Sequence, residues 1–311
     1  MQIYLIILFI CLILVTCSAN AITILCVRRY EPLQKANNLF IISLAVADFA
    51  IGIFAMPWMA MYTIYGYWPI SRFYCIIWGI VEGTCSPVSI ATTCFIAYDR
   101  CLAITHPLQY GSPSRKRTIL IQIGVTWLVT LLAQAAVGGV EAMSDELPVN
   151  ECFVVPHNNH ILIAVIVTFE IPIVVMVFLY ARCLYYLRKR LFRVEPKPEK
   201  PQAPALRPSQ VSSATSSSAN NPVLSAAQLA KRRQSHVRNI RTLGFIIVTF
   251  LFCWLPFSSF FLIKAYCVDC ISNGLYAYSF WAGYLNSAIN PMLYFLSNPN
   301  FRRAFIKLTK L

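Results

Sequence analysis

Residues 75–100, CIIWGIVEGTCSPVSIATTCFIAYDR, decide the fold of this chain. The stretch is apolar and long enough to cross a bilayer, which takes about 20 residues. Glu82 lies well inside it, where a carboxylate costs roughly 2.5–3.5 kcal/mol on insertion scales, so an acid at this depth indicates a functional site. Helical spacing places four polar or aromatic residues on one face: Trp78, Glu82, Ser86 and Ser89. The alternative is a Glu that is merely paired inside a packed helix.

Composition indicates that the rest of the chain is also a membrane protein. Of the 311 residues, 58% are hydrophobic and 12% charged, and the mean hydropathy is +0.62. Such a chain is too apolar for an ordinary soluble domain. The predicted spans cover residues 3–27, 39–62, 75–100, 119–140, 161–184, 243–263 and 275–296. The sequence therefore predicts an all-α membrane protein with a seven-transmembrane helix bundle.

The distribution of charge predicts the orientation in the membrane. The net charge is +14, but of the 26 Lys and Arg only Arg72 and Lys264 fall on the side that holds Cys75. The outer loop over residues 141–160 contains four acids and no Lys or Arg. The positive-inside rule therefore predicts an extracellular N-terminus and a cytoplasmic C-terminus, and it explains the net charge without nucleic acid.

The first span has a second interpretation. Ala19-Asn20-Ala21 resembles the small-x-small cleavage site of a signal peptide. However, no basic residue precedes the apolar run, and the run continues past this site to Arg28. These two facts favour a spanning helix.

Two segments on the cytoplasmic side differ from the spans. Residues 194–230 are rich in Pro, Ser and Ala and carry too little apolar surface to fold, so we expect a disordered third intracellular loop. Residues 301–308, FRRAFIKL, predict a short C-terminal amphipathic helix at the membrane interface. Prolines within the spans predict local kinks, which are either static or hinges between two packings; they are Pro57, Pro87, Pro172, Pro256 and Pro291.

Motifs spread along the spans resemble those of a known family. They are Asn20, LAVAD ending at Asp48, Cys75, Asp99-Arg100-Cys101, Trp127, Pro172 with Tyr180, Phe250-x-x-Cys253-Trp254-x-Pro256 and Asn290-Pro291-x-x-Tyr294. These motifs occur in the same order as in the class A (rhodopsin-like) G-protein-coupled receptors, which the chain resembles along essentially its whole length. The resemblance implies a plasma-membrane receptor that activates a heterotrimeric G protein, with arrestin and a kinase as further partners. It implies no cofactor beyond an allosteric sodium ion.

The resemblance also assigns roles to sets of residues. An allosteric sodium ion, or a water-mediated network without an ion, would lie at mid-membrane among Asp48, Ser89, Asn286 and Asn290. Activation and G-protein coupling would involve Asp99, Arg100, Tyr180 and Tyr294, with Asp99 as the nearest partner of Arg100. Disulfides would join Cys75 to Cys152 and Cys267 to Cys270, although the second pair could instead be two free thiols.

The inner end of the sixth span departs from the family. Many members carry an acid there that holds the Arg of the Asp-Arg motif at rest, whereas this chain has His236 within KRRQSHVRN. The resemblance therefore predicts that this lock is missing and that ligand-free signalling is raised.

Aromatic residues are expected around Glu82, and they indicate the class of ligand. A carboxylate in an aromatic box suits an ammonium group, through charge pairing and cation–π contacts of about 2 kcal/mol when desolvated; the alternative is a plain aromatic core. Residues 281–287, WAGYLNS, and the CVDC of the third outer loop resemble the amine-receptor subgroup. The expected ligand-binding residues are Trp78, Glu82, Ser86, Thr168, Trp254, Phe257, Ser258, Trp281 and Tyr284.

Departures from that subgroup keep other ligands open. Glu82 stands where the subgroup has Asp, Thr168 lies where catechol receptors have serines, and Ser258 replaces the Asn expected of an acetylcholine receptor. A small biogenic amine is the expected ligand, and an orphan, constitutively active or peptide receptor is the alternative. Three other classes of protein are disfavoured. A light receptor would need a Lys in the seventh span, and residues 275–296 contain none. A transporter would show two related halves, and an enzyme would show a nucleophile–base pair or a metal set; neither pattern is found in the sequence.

Overall fold

The computed structural model describes residues 2–105, 114–143, 152, 163, 166–193 and 226–309. These residues form helices and no strand, which confirms the all-α fold. The helices are α1 (Gln2–Arg29), α2 (Asn38–Ala50 and Met56–Tyr65, joined by a π-helical turn over Ile51–Ala55), α3 (Arg72–Thr105), α4 (Arg115–Met143), α5 (a π-helical turn over Ile166–Glu170, then Ile171–Arg193), α6 (Ala226–Tyr266), α7 (Asn273–Ser297) and α8 (Pro299–Thr309). Short 3₁₀ turns cover Glu31–Leu33 and Val268–Cys270.

Each of the helices α1–α7 overlaps one predicted span, and in the fifth span the described residues are 163 and 166–184. Six of them, α1–α6, are long and apolar enough to cross a membrane. The 25 residues of α7 have the required length, and its buried polar side chains, such as Ser287 and Asn290, lower its hydropathy. The loop predicted over residues 194–230 lies largely outside the described residues, and α6 begins inside it at Ala226. The amphipathic C-terminal helix is α8.

The helix that contains residues 75–100 is the central element of the bundle. Within the most apolar 18-residue stretch of α3, 67% of the residues are buried, whereas only 6% are buried in the equivalent stretch of α4. The difference arises because α3 packs against α2, α4, α5 and α6, whereas α4 leaves Leu128, Val129 and Leu132 on the outer surface. Large exposed apolar side chains are expected where lipid replaces water.

Two prolines are preceded by π-helical turns. A proline lacks the N–H that would bond the carbonyl four residues earlier, and its ring clashes with that carbonyl. For Pro57 and Pro172 these positions are Ile53 and Thr168, and each lies within one of the π-helical turns, at Ile51–Ala55 and Ile166–Glu170. The wider turn relieves the clash. The kink predicted at Pro57 therefore begins before the proline, whereas α3 continues through Pro87.

Side chains of two motif residues bond neighbouring helices. Asn20 Nδ2 of α1 donates to the Ser287 carbonyl oxygen of α7 at 3.0 Å, and Trp127 Nε1 of α4 donates to Ser43 Oγ of α2 at 3.0 Å. Two helix ends are also fixed locally. Gly66 ends α2 with a positive φ of 76°, and the Ser272 hydroxyl caps the start of α7.

Candidate functional site

Glu82 joins α3 to α7 in the outer half of the bundle, defined as the half that contains the Cys75–Cys152 disulfide. Its side chain is buried, with 9% exposed. Ser86 Oγ, one turn further along α3, donates to Glu82 Oε1 at 2.7 Å, and Tyr284 Oη of α7 donates to Oε2 at 3.2 Å. No basic side chain among the described residues pairs with this carboxylate. The site therefore presents a buried acid whose partners in the protein are neutral.

A continuous aromatic surface lies beside Glu82. Trp78, one turn before Glu82, has its ring 6.0 Å from that of Phe280 in α7. Phe280 in turn contacts Phe257 of α6 at 4.8 Å and Tyr276 at 5.5 Å. The expected aromatic partners Trp78 and Phe257 are thus connected by Phe280, which the sequence analysis did not single out. The four residues form one wall from α3 across α7 to α6.

Trp254 lies at the inner end of this wall. Its ring contacts Phe169 of α5 at 5.1 Å and Phe257 at 6.2 Å. It also packs against α7 at Gly283, where an added Cβ would come within 3.1 Å of the indole. A side chain at Gly283 would therefore push the ring away. Phe169 is a second aromatic residue that the sequence analysis missed.

Trp281 has a different environment from the one expected. Its ring stacks on Phe9 of α1 with centroids 3.8 Å apart, and its Nε1 donates to Thr63 Oγ1 of α2 at 3.0 Å. The edge-to-face contact with Tyr284, at 5.5 Å, connects it to Glu82. Trp281 is thus placed to hold the Tyr284 ring, because it packs between that ring and the first two helices.

Besides Ser86, the expected hydroxyl ligands are Ser258 on α6 and Thr168 on α5. Ser258 is buried, and its Oγ donates to the Leu255 carbonyl oxygen of its own helix at 3.3 Å. Thr168 is half-buried in the π-helical turn of α5, next to Phe169. Ser258 is therefore hydrogen-bonded within α6, and Thr168 is the expected hydroxyl on α5.

Asp48 is the centre of a second buried polar cluster. Its side chain has no exposed surface. Ser89 Oγ of α3 and Ser287 Oγ of α7 donate to Oδ1 at 2.9 and 2.8 Å, and Asn290 Nδ2 donates to Oδ2 at 2.9 Å. Carboxylate, hydroxyl and amide oxygens are the ligands that hard cations prefer, so this set suits a sodium ion.

The membership of this cluster differs from the expected one at one position. Asn286 is buried, but its Nδ2 has no hydrogen-bond partner among the described residues, and the next residue, Ser287, bonds Asp48 instead. Neighbouring residues of a helix are about 100° apart, whereas Ser287 and Asn290, three positions apart, share a face. Helical spacing from Asn290 could have identified Ser287.

The inner end of α3 pairs with α4. Asp99 is buried and forms an ion pair with Arg115, at the start of α4. A cation from another helix thus reaches the carboxylate of Asp99, and the expected role of Asp99 as the nearest partner of Arg100 stays a prediction. Arg100 is half-buried on the next position of α3. The sequence analysis missed Arg115, since nothing in the sequence brings residues 99 and 115 together.

The two tyrosines expected at the inner end lie on α5 and α7. Tyr180 is partly buried against the core of α3, α5 and α6, and its hydroxyl lies beside Gly244 of α6. Tyr294 is buried and its ring contacts Phe301 of α8 at 5.8 Å. His236 belongs to α6, but its side chain lies outside the described residues.

Both expected disulfides are present. Cys75 at the outer end of α3 is bonded to Cys152 of the following outer segment, and Cys267 is bonded to Cys270. The alternative of two free thiols at the second pair is wrong. The first bond spans 77 residues of sequence and holds Cys152 beside α3, near the aromatic wall, because Trp78 lies one turn from Cys75.

Comparisons with known proteins cover nearly the whole chain. The family model described as 7 transmembrane receptor (rhodopsin family) matches residues 19–294. The 5-hydroxytryptamine receptor 1B of Canis lupus familiaris is 31% identical, over 99% of this chain and 87% of the relative. The human receptor of the same name is 32% identical, over 96% and 83%. Probable G-protein coupled receptor No18 of Amphibalanus amphitrite is 28% identical, over 97% and 89%.

Proposed function

The chain belongs to the rhodopsin family of seven-transmembrane receptors, and from this premise we propose that it binds a small extracellular biogenic amine and activates a heterotrimeric G protein. Family membership makes it a multi-pass plasma-membrane receptor rather than an enzyme, with resemblance to amine receptors. The proposal concerns the ligand, the residues that hold it and the orientation, with the N-terminus outside and α8 in the cytoplasm.

Glu82 is the observation that carries the proposal. A buried carboxylate with neutral hydrogen-bond partners remains costly until a cation pairs with it. An ammonium group supplies that charge, and the adjoining wall of Trp78 and Phe280 offers aromatic faces to the rest of a small amine. The names of the relatives make 5-hydroxytryptamine, an aromatic amine, the first candidate to test.

The helices that meet at Glu82 suggest how binding could be transmitted. An ammonium at Glu82 would act on α3 directly and on α7 through Tyr284, and the ligand ring would press on the Trp254 side of the wall. Trp254 lies two residues before Pro256, where α6 lacks a backbone hydrogen bond. A ligand that favours an outward position of the inner half of α6 shifts the receptor toward that state.

The inner ends of the helices would form the coupling surface. Outward movement of α6 separates Gly244 from the Tyr180 hydroxyl and exposes the half-buried Arg100. Arg100, Tyr180 and Tyr294 would then contact the G protein, and the Asp99–Arg115 pair would keep α3 and α4 together during the change. Arrestin and a kinase are proposed as later partners of the same surface.

Asp48 and its three hydrogen-bond donors would hold an allosteric sodium ion. The buried carboxylate has no basic partner among the described residues, and a bound monovalent cation would neutralise it. Ser89 of α3 and Ser287 of α7 would contribute hydroxyl oxygens, while Asn290 would orient the carboxylate. Because the cluster joins α2, α3 and α7, an ion there would favour the packing in which these helices are close.

The first experiment is a cell-based G-protein activation screen with a panel of biogenic amines, including 5-hydroxytryptamine, on the wild type and on Glu82→Gln. Activation of the wild type by one amine, with loss of potency in the variant, would support the proposal and name the ligand. Strong ligand-free signalling that no amine changes, and that Glu82→Gln leaves intact, would contradict the amine and favour a constitutive or peptide receptor.

A further inference from the structure

An apolar groove runs along the outer surface of the bundle between α1 and α7. It encloses a cavity of about 440 Å³. Its walls are apolar side chains, which include Val15, Ala19, Ile22, Met292, Phe295 and Phe305. Met292 and Phe295 are 51% and 37% exposed, so the groove opens toward the surrounding membrane rather than into the protein. Its size and lining suit a hydrocarbon chain.

A second cavity adjoins the inner end of this groove. It measures about 380 Å³ and lies where the end of α1 meets α8. Its lining residues are Leu25, Arg29, Tyr30, Ala304, Lys307 and Leu308. Leu25 and Ala304 are sequence neighbours of Cys26 and Phe305, which line the groove, so the two cavities follow one another along the same two helices.

Charge changes along this path. The groove carries no charged lining residue, whereas the inner cavity carries two basic side chains, Arg29 and Lys307, and no acid. Both cations are exposed. An apolar groove that ends at two cations is complementary to an amphiphile with an acidic headgroup.

We propose that this corner binds an inner-leaflet phospholipid with a net negative headgroup. One acyl chain lies in the groove between α1 and α7, and the headgroup contacts Arg29 and Lys307. The assignment to the inner leaflet rests on the proposed cytoplasmic position of α8, and it is independent of the amine at Glu82. Basic pockets on the cytoplasmic side of membrane helices bind acidic headgroups in this way.

The two cations favour an acidic phospholipid over other membrane components. A sterol could fill the groove, but its single hydroxyl would leave both charges without a partner. A phosphatidylcholine head has no net charge, because its ammonium balances its phosphate, whereas a phosphatidylserine head has one further carboxylate to pair with Arg29 or Lys307. Each basic residue near the membrane surface is expected to favour an acidic lipid by about fivefold.

Native mass spectrometry of the purified full chain tests this proposal. The receptor is equilibrated in micelles that contain phosphatidylserine and phosphatidylcholine with identical acyl chains, and the lipids retained per receptor are counted. We expect one retained phosphatidylserine, preferred by about fivefold or more. Arg29→Gln with Lys307→Gln should abolish the preference. Ala19→Phe, which fills the groove, should reduce the retention of both lipids.

Arg28→Gln with Arg303→Gln is the matched control. These arginines are exposed on the same two helices but do not line the cavity, so the preference should persist. Equal retention of both lipids by the wild type would overturn the proposal, as would equal losses in the test and control pairs. Displacement of phosphatidylserine by cholesterol with no effect of the Arg29 and Lys307 changes would assign the groove to a sterol instead.

Discussion

Two carboxylates in this receptor are similarly buried but have different surroundings. Asp48 has no exposed surface and receives three hydrogen bonds from α3 and α7, all from small polar side chains. Glu82 retains 9% exposure, receives two hydrogen bonds, and lies beside an aromatic wall. Both are acids in an apolar bundle, yet only one of them is placed to meet an organic molecule.

The difference shows how the environment selects the partner of a buried acid. A carboxylate offers about four acceptor sites; Asp48 uses three of them on the protein, and Glu82 uses two. The space around Asp48 is occupied by three helices, which is why we propose a single small ion there rather than an organic cation. Glu82 keeps more acceptor capacity and adjoins aromatic faces, which suit an ammonium with a carbon skeleton.

The strongest test of this contrast removes the charge at Glu82. We expect Glu82→Gln to lower the potency of an activating amine about 100-fold or more, since removing one partner of a buried charge pair costs about 2–5 kcal/mol. The measurement is a concentration–response curve for G-protein activation, normalised to surface expression. Glu170→Gln serves as the control, because Glu170 is another acid within a span and is half-buried on α5. A similar loss of amine potency in both variants would show that Glu82 is not the specific partner of the ligand.

Sodium should act through the carboxylate of Asp48. Replacing an organic cation by sodium at constant ionic strength is expected to weaken agonist binding by about tenfold, within the usual range of coupling between two sites. Asp48→Asn should remove this dependence, because it removes the charge that the ion neutralises. Competition binding in the two salts measures the effect. If Asp48→Asn retains the full sodium response, the ion lies elsewhere.

The hydroxyl of Tyr284 should matter less than the charge it contacts. Tyr284→Phe removes the hydrogen bond to Glu82 Oε2 but keeps the ring against Trp281, so we expect about a fivefold loss of amine affinity, as for one ordinary hydrogen bond. Tyr278→Phe is the matched control on the same helix, since Tyr278 is 45% exposed. Radioligand competition on both variants checks the prediction, and an unchanged affinity in Tyr284→Phe would show that the hydroxyl does not orient the carboxylate.

The smallest effect is expected at the inner end, away from both carboxylates. His236→Glu supplies the acid that the sixth helix lacks, and we expect ligand-free signalling to fall about twofold to threefold, as for a partly exposed ion pair. His236→Gln, which adds no charge, should leave signalling unchanged. Basal activity is measured at matched expression; an equal value in the wild type and His236→Glu would mean that the missing acid does not set the resting state.

Much of the fold was predictable because it depends on local properties of the sequence. Apolar length defined the spans, and helical spacing placed Ser86 beside Glu82. Contacts between helices were less accessible, because they depend on the rotation of each helix about its axis. Ser287, rather than Asn286, meets Asp48 for that reason. Arg115 meets Asp99 across a loop whose path no pattern in the sequence defines.

The aromatic wall illustrates the same limit within the site. Trp78 and Phe257 were expected near Glu82, but the ring that connects them, Phe280, belongs to a helix rich in aromatic residues. Sequence alone gives no reason to prefer Phe280 over Trp281 as the residue that connects α3 to α6. The structure distinguishes them by their neighbours, since Phe280 contacts α3 and α6 whereas Trp281 contacts α1 and α2.

The π-helical turn of α2 makes this receptor sensitive to chain length at one place. A π-helical turn accommodates one more residue than an α-helical turn, and each residue advances the helix by about 100°. Deleting one residue from Ile51–Ala55 would therefore leave an ordinary α-helical turn, which keeps the direction of Met56–Tyr65 but brings the Pro57 ring against the carbonyl four residues before it. Inserting one residue would instead rotate Met56–Tyr65 by that angle relative to Asn38–Ala50 and turn Thr63 away from the Trp281 indole. Asp48, on the inner side of the turn, would keep its orientation. Substitutions in this turn should consequently be tolerated better than an insertion, except at Gly52, where an added Cβ would lie 2.7 Å from Cys17 Sγ of α1.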